Sequence, residues 1–547
     1  MNKSFTYPCG CSFKVLEERE DGQHRIDVNF TLENIPLDCA RTWKMFSDGN
    51  VKGIFQLENQ GRICKEVKPE NISQLSAICA IIRPGCSEAM RDGKSITQHY
   101  IDRKNGVEEV EYFHPALEHI LEDTFGEMIY QEQAMRVAQD IAGFDMQQAD
   151  ILRKAIGKKN PQLMAEVKTE FLEGCDSQDI VNKEEAEEIF SWIEKSQRYS
   201  FNKSHSVSYA TNAYLTAYSK AHFPRGFITS YLNFAHEKPK PFIETYQLIQ
   251  NARSMNIDVQ LPSLERMNTH FVLENRIIYF GLSDIKSIGE KVVGRIQREA
   301  SKVGKPVADW SWVDFLVLFS QSVPSTAIKN MISTGAVTTG KLSRTNRLYE
   351  YDVYTQLTER EHKAVVKKHL AAPYKSLEDI LADMLEGETG RNHMISSDKR
   401  ATKIQGLLKS LKNPSHTMED SPSWISSAEE RLLGISITYS AVDACDIGAA
   451  NCNCQEFVAG FNGRGGVIML PAKIDSVKEI KTKSGQNPGR KMGFLSVSDT
   501  SGSCEIVVFP DPWEQYSGFL CEDNTVMLTG KRGRENNSLI AEKIWQL

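Results

Sequence analysis

Gln131-Glu132-Gln133-Ala134-Met135-Arg136-Val137-Ala138-Gln139-Asp140-Ile141-Ala142 repeats its apolar residues every three to four positions and then meets Gly143. That spacing lays one apolar stripe along a helix, and glycine is a residue that ends one. The same period runs from Pro36 to about Pro241, so residues 34–260 read as one large helical domain. Upstream, residues 1–33 read as a small β element, with Phe13-Lys14-Val15-Leu16 and Arg25-Ile26-Asp27-Val28-Asn29-Phe30 on either side of the polar turn Glu20-Asp21-Gly22.

Downstream, Gly281-Leu282-Ser283-Asp284-Ile285-Lys286-Ser287-Ile288-Gly289-Glu290-Lys291 places a glycine-bearing turn between two amphipathic stretches. Residues 261–340 therefore read as a helix-hairpin-helix region, in which the backbone N–H groups beside Gly289 can approach a phosphate. A plain helical packing corner fits that stretch equally well when it is taken alone. Residues 341–425 turn polar and highly charged and read as a charged linker or helical insert. Residues 426–547 switch to period-two alternation near Val467–Leu470, Met492–Val497, Cys504–Phe509 and Thr525–Leu528, as an OB-like β-barrel requires. The expected class is multidomain α+β: a mainly α-helical domain, a helix-hairpin-helix region and a C-terminal OB-like barrel.

A chain of 547 residues is too long for one hydrophobic core, so several domains are expected. With 40% hydrophobic and 25% charged residues and no long apolar run, the composition is that of a soluble, cytoplasmic globular protein with no membrane partner. The net charge of −7, from 65 basic and 72 acidic residues, gives no global basic signature, so contact with nucleic acid has to use local patches. Twelve cysteines without a dense, even spacing read as reduced thiols. Cys9-Gly10-Cys11 and Cys452-Asn453-Cys454 form the tight clusters; C-x-C is not the usual zinc-knuckle spacing, so free thiols are favoured over a metal-bound docking element and no metal ligands are assigned.

Two constellations carry chemistry. Leu152-Arg153-Lys154-Ala155-Ile156-Gly157-Lys158-Lys159-Asn160-Pro161 packs four cations into seven residues at the end of an amphipathic helix. It suits a phosphate clamp, in which arginine offers two parallel donors and lysine a point charge; a solvated helix end is the bland alternative. Gln197-Arg198-Tyr199-Ser200-Phe201-Asn202-Lys203-Ser204-His205-Ser206-Val207-Ser208-Tyr209 mixes cations, hydroxyls, an imidazole and aromatic rings. Such a mixture can stack on a base and bond a phosphate, although His205 reads equally well as a structural residue.

Seven segments in order carry a resemblance: Ile35-Pro36-Leu37-Asp38, Gly53-Ile54-Phe55-Gln56-Leu57-Glu58, Ile82-Arg83-Pro84-Gly85, Tyr100-Ile101-Asp102-Arg103-Lys104, Tyr130-Gln131-Glu132-Gln133, the run from Leu152 to Lys159, and Phe201-Asn202-Lys203-Ser204-His205. In this order they resemble the fingers of bacterial C-family replicative DNA polymerases, the family of the DNA polymerase III alpha subunit. The similarity continues through Lys220-Ala221-His222-Phe223-Pro224, the hairpin and Glu430-Arg431-Leu432-Leu433-Gly434 into the OB-like tail.

The resemblance implies DNA-templated DNA synthesis in replication by a DNA-directed DNA polymerase, with primer-template DNA and deoxynucleoside triphosphates as partners. By motif match, nucleotide and phosphate binding falls to Arg153, Lys154, Lys158 and Lys159, and also to Arg83, Asn202, Lys203 and His205. DNA binding falls to Lys286, Ser287, Gly289 and Lys291 in the hairpin and to Lys531 and Arg532 in the barrel. The family's paired palm aspartates have no counterpart in these 547 residues. Asp27 is the candidate for a further catalytic aspartate, which would make residues 1–33 a palm remnant. The expectation is therefore a split polymerase of a kind that suits a phage, with Mg²⁺ held mainly by palm aspartates on another chain. A sliding clamp is a further expected partner, since Gln405-Gly406-Leu407-Leu408 lies where the family carries its clamp-binding peptide. The rival reading is a non-catalytic DNA-binding accessory protein related to a polymerase.

Overall fold

A computed structural model describes residues 4–6, 9–18, 24–27, 33–158, 161–196, 199–390, 393–463, 466–482, 488–533 and 538–547. It divides into two compact units, Met1–Phe227 and Ile228–Leu547.

The first unit opens with a three-stranded antiparallel sheet of β1 (Ser4–Thr6), β2 (Ser12–Glu18) and β3 (His24–Asp27). Phe5 pairs with Phe13 and Lys14 with Asp27, and a bulge interrupts β2 between Val15 and Glu17. The expected turn at Glu20-Asp21-Gly22 lies outside the described residues.

Helices follow, among them α1 (Ala40–Ser47), α2 (Ile72–Ile81), α3 (Gln131–Ala142), α4 (Met146–Lys158), α5 (Pro161–Gln178), α6 (Lys183–Ser196) and α7 (Lys203–His222). The stripe read from the sequence is the buried one: Ala134, Val137, Ala138 and Ile141 of α3 are all sealed from solvent. They share a core with Leu152 of α4, Val167 and Phe171 of α5, and Ile189, Phe190 and Ile193 of α6. Gly143 ends α3 at φ +69°, a left-handed turn that a side chain would strain. Burying each large apolar side chain contributes ~1.5–3 kcal/mol, which is why an amphipathic stripe selects this packing over any other face.

In the second unit, α8 (Pro241–Ser254) is followed by a small sheet in which Val259–Gln260 runs parallel, and Val272–Glu274 antiparallel, to Ile277–Tyr279. A turn of 3-10 helix at Leu282–Asp284 and the helix α9 (Glu290–Lys302) form the hairpin. Ile285 and Ile288 are buried at its bend, and Val293, Ile296 and Ala300 form the inward face of α9.

Residues 341–425, expected as charged linker or helical insert, contain α10 (Arg344–Tyr354), α11 (Glu359–Ala371), α12 (Leu377–Glu386) and α13 (Asp398–Lys412). Their charged faces point outward, while Tyr351, Tyr354, Val365, Ile380, Leu381 and Ile404 are buried. The helix α14 (Pro422–Leu433) leads to the barrel and stops at Gly434.

Five strands close the barrel: β4 (Ile468–Lys481), β5 (Lys491–Ser498), β6 (Ser503–Val508), β7 (Thr525–Arg532) and β8 (Leu539–Gln546), in the order β5-β6-β8-β7-β4. Closure depends on the length of β4. Its first half, Ile468–Lys473, pairs with β7, and its second half, Lys473–Lys481, pairs with β5. The alternating residues Ile468, Leu470, Ala472 and Ile474 fill the interior with Leu495, Val497, Ile506, Val526 and Leu528. Period-two alternation in sequence thus becomes the inside and outside of one sealed barrel.

Candidate nucleotide and nucleic-acid interface

Two of the quoted segments turn out to be each other's partners. The backbone of Tyr130 bridges that of Phe201: Gln131 N–H donates to the Phe201 carbonyl at 2.9 Å, and Phe201 N–H to the Ile129 carbonyl at 2.8 Å. Glu132 then caps α7, accepting from Asn202 Nδ2 at 2.9 Å and from the Lys203 backbone N–H at 2.8 Å. Asn202 is itself the N-cap residue, its Oδ1 accepting from the His205 N–H at 2.8 Å and from Ser204 Oγ at 2.7 Å. The Asn202 side chain is thus occupied by fold-organising bonds, and Glu132, quoted in the sequence only as part of a motif, is the residue that holds it.

From this cap, α7 presents His205 and Tyr209 one turn apart on one face, and Phe201, in the bridge just before the cap, adds its ring to the row. The His205 ring lies 5.4 Å from Phe201, edge-on, and 4.1 Å from Tyr209; Phe55 extends the row, 5.2 Å from Tyr209. Arg83 closes the other end, its guanidinium 3.7 Å from the centroid of Phe201. Phe55 is 43% exposed, His205 and Arg83 face solvent, and Phe201 and Tyr209 are half-buried, so the row lies at the surface rather than in a core cluster. Lys203 extends beside it, Nζ 5.5 Å from the Tyr130 ring and 3.8 Å from Asp123.

The basic run has a different arrangement from the one its sequence implies. Arg153 donates to Asp150 Oδ1 from Nη2 at 2.7 Å and from Nε at 3.0 Å, and Lys154 Nζ lies 2.8 Å from Asp150 Oδ2. One carboxylate, a turn earlier on α4, therefore orders two cations side by side. Hydrogen bonds from Lys154 and Arg153 hold the Asp150 carboxyl below the usual range. Lys158 is the last residue of α4, and Lys159 lies outside the described residues.

Elsewhere in the first unit, buried charges fix the frame. Lys220 of α7 donates to Asn50 Oδ1 at 2.8 Å and to the carbonyls of Lys52 at 2.8 Å and Asn50 at 3.1 Å. Burial and the neighbouring Lys52 pull its amine down to about 7. The fully buried Glu127 takes both Arg91 and Arg103, and Arg103 also donates to Glu108 at 2.7 Å. Burial pushes Glu108 up, but hydrogen bonds from Arg103, His99 and Lys94 outweigh it and hold the carboxyl at about 2.

Asp27 ends β3, where its backbone pairs with Lys14. Among the described residues no three carboxylates converge on one point; the cluster of metal-ligating groups found there is made of Cys9, Cys11, Cys39 and His222. The described residues therefore do not fit a two-Mg²⁺ centre.

In the second unit the hairpin exposes Lys286, Ser287, Gly289 and Lys291 together. Gly289 caps α9, and a Cβ built there meets nothing within 4 Å, so the helix N-terminus opens onto free space. Ser287 sits at φ +70°, which turns the chain between the buried Ile285 and Ile288. Burial pushes the nearby Asp284 carboxyl up to about 7, against a hydrogen bond from the Gly281 N–H.

On the barrel, Lys531 lies exposed and 2.9 Å from Glu542. Arg532 is placed otherwise than its sequence context implies. Its guanidinium covers the Phe457 ring at 4.2 Å, and it donates to Asn462 Oδ1 at 3.0 Å and to the carbonyls of Phe461, at 3.1 Å, and Phe457. It holds the loop before β4.

Residues 14–179 match the family described as the bacterial DNA polymerase III alpha subunit finger domain, and residues 256–347 match a helix-hairpin-helix motif. The DNA polymerase III subunit alpha of Borreliella burgdorferi is 29% identical over 537 residues, 97% of this chain and 43% of that protein. That of Aquifex aeolicus is 30% identical over 522 residues, 94% of this chain and 39% of that protein. That of Chlamydia trachomatis is 28% identical over 523 residues, 93% of this chain and 38% of that protein. The chain thus spans less than half the length of these curated relatives.

Proposed function

We propose that this chain, which corresponds to the fingers-to-OB portion of bacterial DNA polymerase III alpha subunits, receives nucleotide and DNA in templated DNA synthesis. The observation that carries the reading is the row Arg83-Phe201-His205-Tyr209-Phe55. Exposed rings cost hydration free energy unless something covers them, and a nucleobase covers them with ~1–3 kcal/mol of stacking per base. Arg153 and Lys154, ordered by Asp150, then take the triphosphate of the incoming nucleotide, and Lys158 and Lys159 are assigned to the same role on the sequence motif alone. A bound triphosphate competes with Asp150 for both cations and wins on charge.

Palm aspartates would hold Mg²⁺, whose chemistry there would be Lewis-acid stabilisation of charge on the reacting oxygens. Those aspartates would come from polypeptide outside these 547 residues. A separate palm-bearing chain, the arrangement of a compact or phage replicon, is the version put to test. Alone, this chain is expected to bind primer-template without extending it; mixed with a palm-bearing chain, it extends the primer with Mg²⁺ and four deoxynucleotides. Binding without extension in the mixture would make it an accessory DNA-binding protein instead. Its site of action would be the cytoplasm, where the chromosome is replicated.

The hairpin supplies a second, sequence-indifferent grip, with Lys286, Lys291 and the N–H groups after Gly289 facing duplex phosphates. Lys531 and the barrel would meet the single strand, and the Gln405–Leu408 segment a sliding clamp. Each phosphate contact adds ~0.9 to the slope of log affinity against log salt. The double variant Lys286→Ala/Lys291→Ala should therefore flatten that slope by about 2 for duplex DNA, equally for any sequence. An unchanged slope in a salt titration by fluorescence anisotropy would remove the hairpin from the DNA interface.

A further inference from the structure

Four ligand-type side chains from three distant parts of the first unit meet at one point. Cys9 and Cys11 lie in the turn between β1 and β2, Cys39 caps α1, and His222 is the last residue of α7. Their three Sγ atoms and one imidazole nitrogen all lie within 4.8 Å of one another. His222 Nε2 is 3.3 Å from Cys39 Sγ and 4.0 Å from Cys9 Sγ. In a tetrahedral site with metal–sulfur bonds of ~2.3 Å and metal–nitrogen bonds of ~2.0 Å, neighbouring ligand atoms stand about 3.5–3.8 Å apart. The observed separations bracket that edge.

We propose that Cys9, Cys11, Cys39 and His222 form a closed structural site for one Zn²⁺. The surroundings hold the ligands in place before metal arrives. Gly10, at φ +87° with open space where a Cβ would be, turns the C-x-C so that both thiols reach the same point. The His222 ring is flanked by Tyr218 at 4.3 Å and, edge-on, by Phe13 at 5.7 Å, which fixes its plane. Cys39 N–H donates to the Tyr214 hydroxyl at 3.2 Å, and that hydroxyl donates to the Pro36 carbonyl at 2.7 Å, so the loop carrying Cys39 is tied to α7 as well. Such supporting bonds are what orient ligands in built metal sites.

Three soft thiolates with one imidazole select Zn²⁺ over Mg²⁺ or Ca²⁺, and four protein ligands leave no open position for substrate water. Binding converts the thiols to thiolates and releases their protons to solvent. The product is a cross-link between segments up to 213 positions apart. Since Ser12 begins β2 directly after Cys11, and β2 pairs with β3, the metal would anchor the sheet that carries Asp27 to α1 and α7. The inference stands apart from the polymerase reading, because its readouts do not involve DNA.

The test begins with the full chain purified under reducing conditions, reconstituted with Zn²⁺ and desalted. About one equivalent of zinc by elemental analysis is expected. With Co²⁺ in its place, the visible bands of a tetrahedral ion should appear together with sulfur-to-cobalt charge transfer. Cys11→Ser and His222→Ala should lose most of the metal, while Cys521→Ser, at an exposed cysteine, keeps it. Should the first two fail to fold, the wild-type chain still carries the test: a chelator should lower its melting temperature by several degrees, and re-added Zn²⁺ should restore it. A reconstituted chain that holds no stoichiometric metal, an octahedral Co²⁺ spectrum, or full zinc retention in folded His222→Ala would overturn the proposal.

Discussion

Replacing Arg153 and Lys154 together by alanine should lower the efficiency of nucleotide incorporation by the assembled polymerase by roughly 10²-fold or more, with the fold intact. Each charge-assisted hydrogen bond to a phosphate oxygen is worth ~1.5–3 kcal/mol when its partner is removed, which is about a tenfold to hundredfold change per contact. The stability side of the ledger is small. Arg153 is 38% and Lys154 54% exposed, and an exposed helical pair with Asp150 contributes only ~0.3–0.5 kcal/mol. The two effects therefore separate cleanly between activity and melting temperature. Asp150→Asn provides the opposite probe: it frees both cations, so nucleotide affinity should hold or rise. Single-nucleotide incorporation kinetics with a candidate palm-bearing chain present decide the matter. Wild-type kinetics in the double variant would remove α4 from the nucleotide site.

The second large effect is structural. Glu429 of α14 is completely buried, and five donors converge on it: Arg344 Nη1 at 2.8 Å, the backbone N–H groups of Ile437 at 2.7 Å and Thr438 at 2.8 Å, Thr438 Oγ1 at 2.5 Å and Ser436 Oγ at 3.3 Å. Glu429→Ala leaves the Arg344 guanidinium buried without its counter-charge, which costs ~3–5 kcal/mol. The melting transition of the second unit should fall by the order of 10 °C. Glu429→Gln keeps the shape and part of the bonding and should cost less, ~1–3 kcal/mol. A drop of under a degree or two in Glu429→Ala, read by differential scanning calorimetry, would show that water or a neighbour replaces the lost carboxylate.

What the sequence carried by itself was local. A helix declares itself through a period of 3.6 and a strand through a period of 2, so the stripe of α3, its stop at Gly143, the start of β4 and the alternation of β5, β6 and β7 were legible, while the rest of β4 and β8 were not. The order of the short motifs was legible too, since order along the chain needs no coordinates. In residues 341–425 the charged faces of α10 to α13 dominated the composition and hid the buried faces beneath them. Partners distant along the chain were beyond reach, because which residues meet depends on how packed helices return the chain. The Phe201 segment meets Glu132 70 positions away, and Arg344 meets Glu429 85 positions away. Arg532 was assigned to DNA binding from its sequence, but the fold placed the ring of Phe457 and three oxygen acceptors around it. Cys9 and Cys11 showed only a C-x-C spacing in the sequence; that Cys39, at the cap of α1, and His222 of α7 converge on them was decided by the fold. Periodicity is a property of neighbours and was fixed in the chain, whereas charge compensation and ligand convergence belong to the packed core and were decided there.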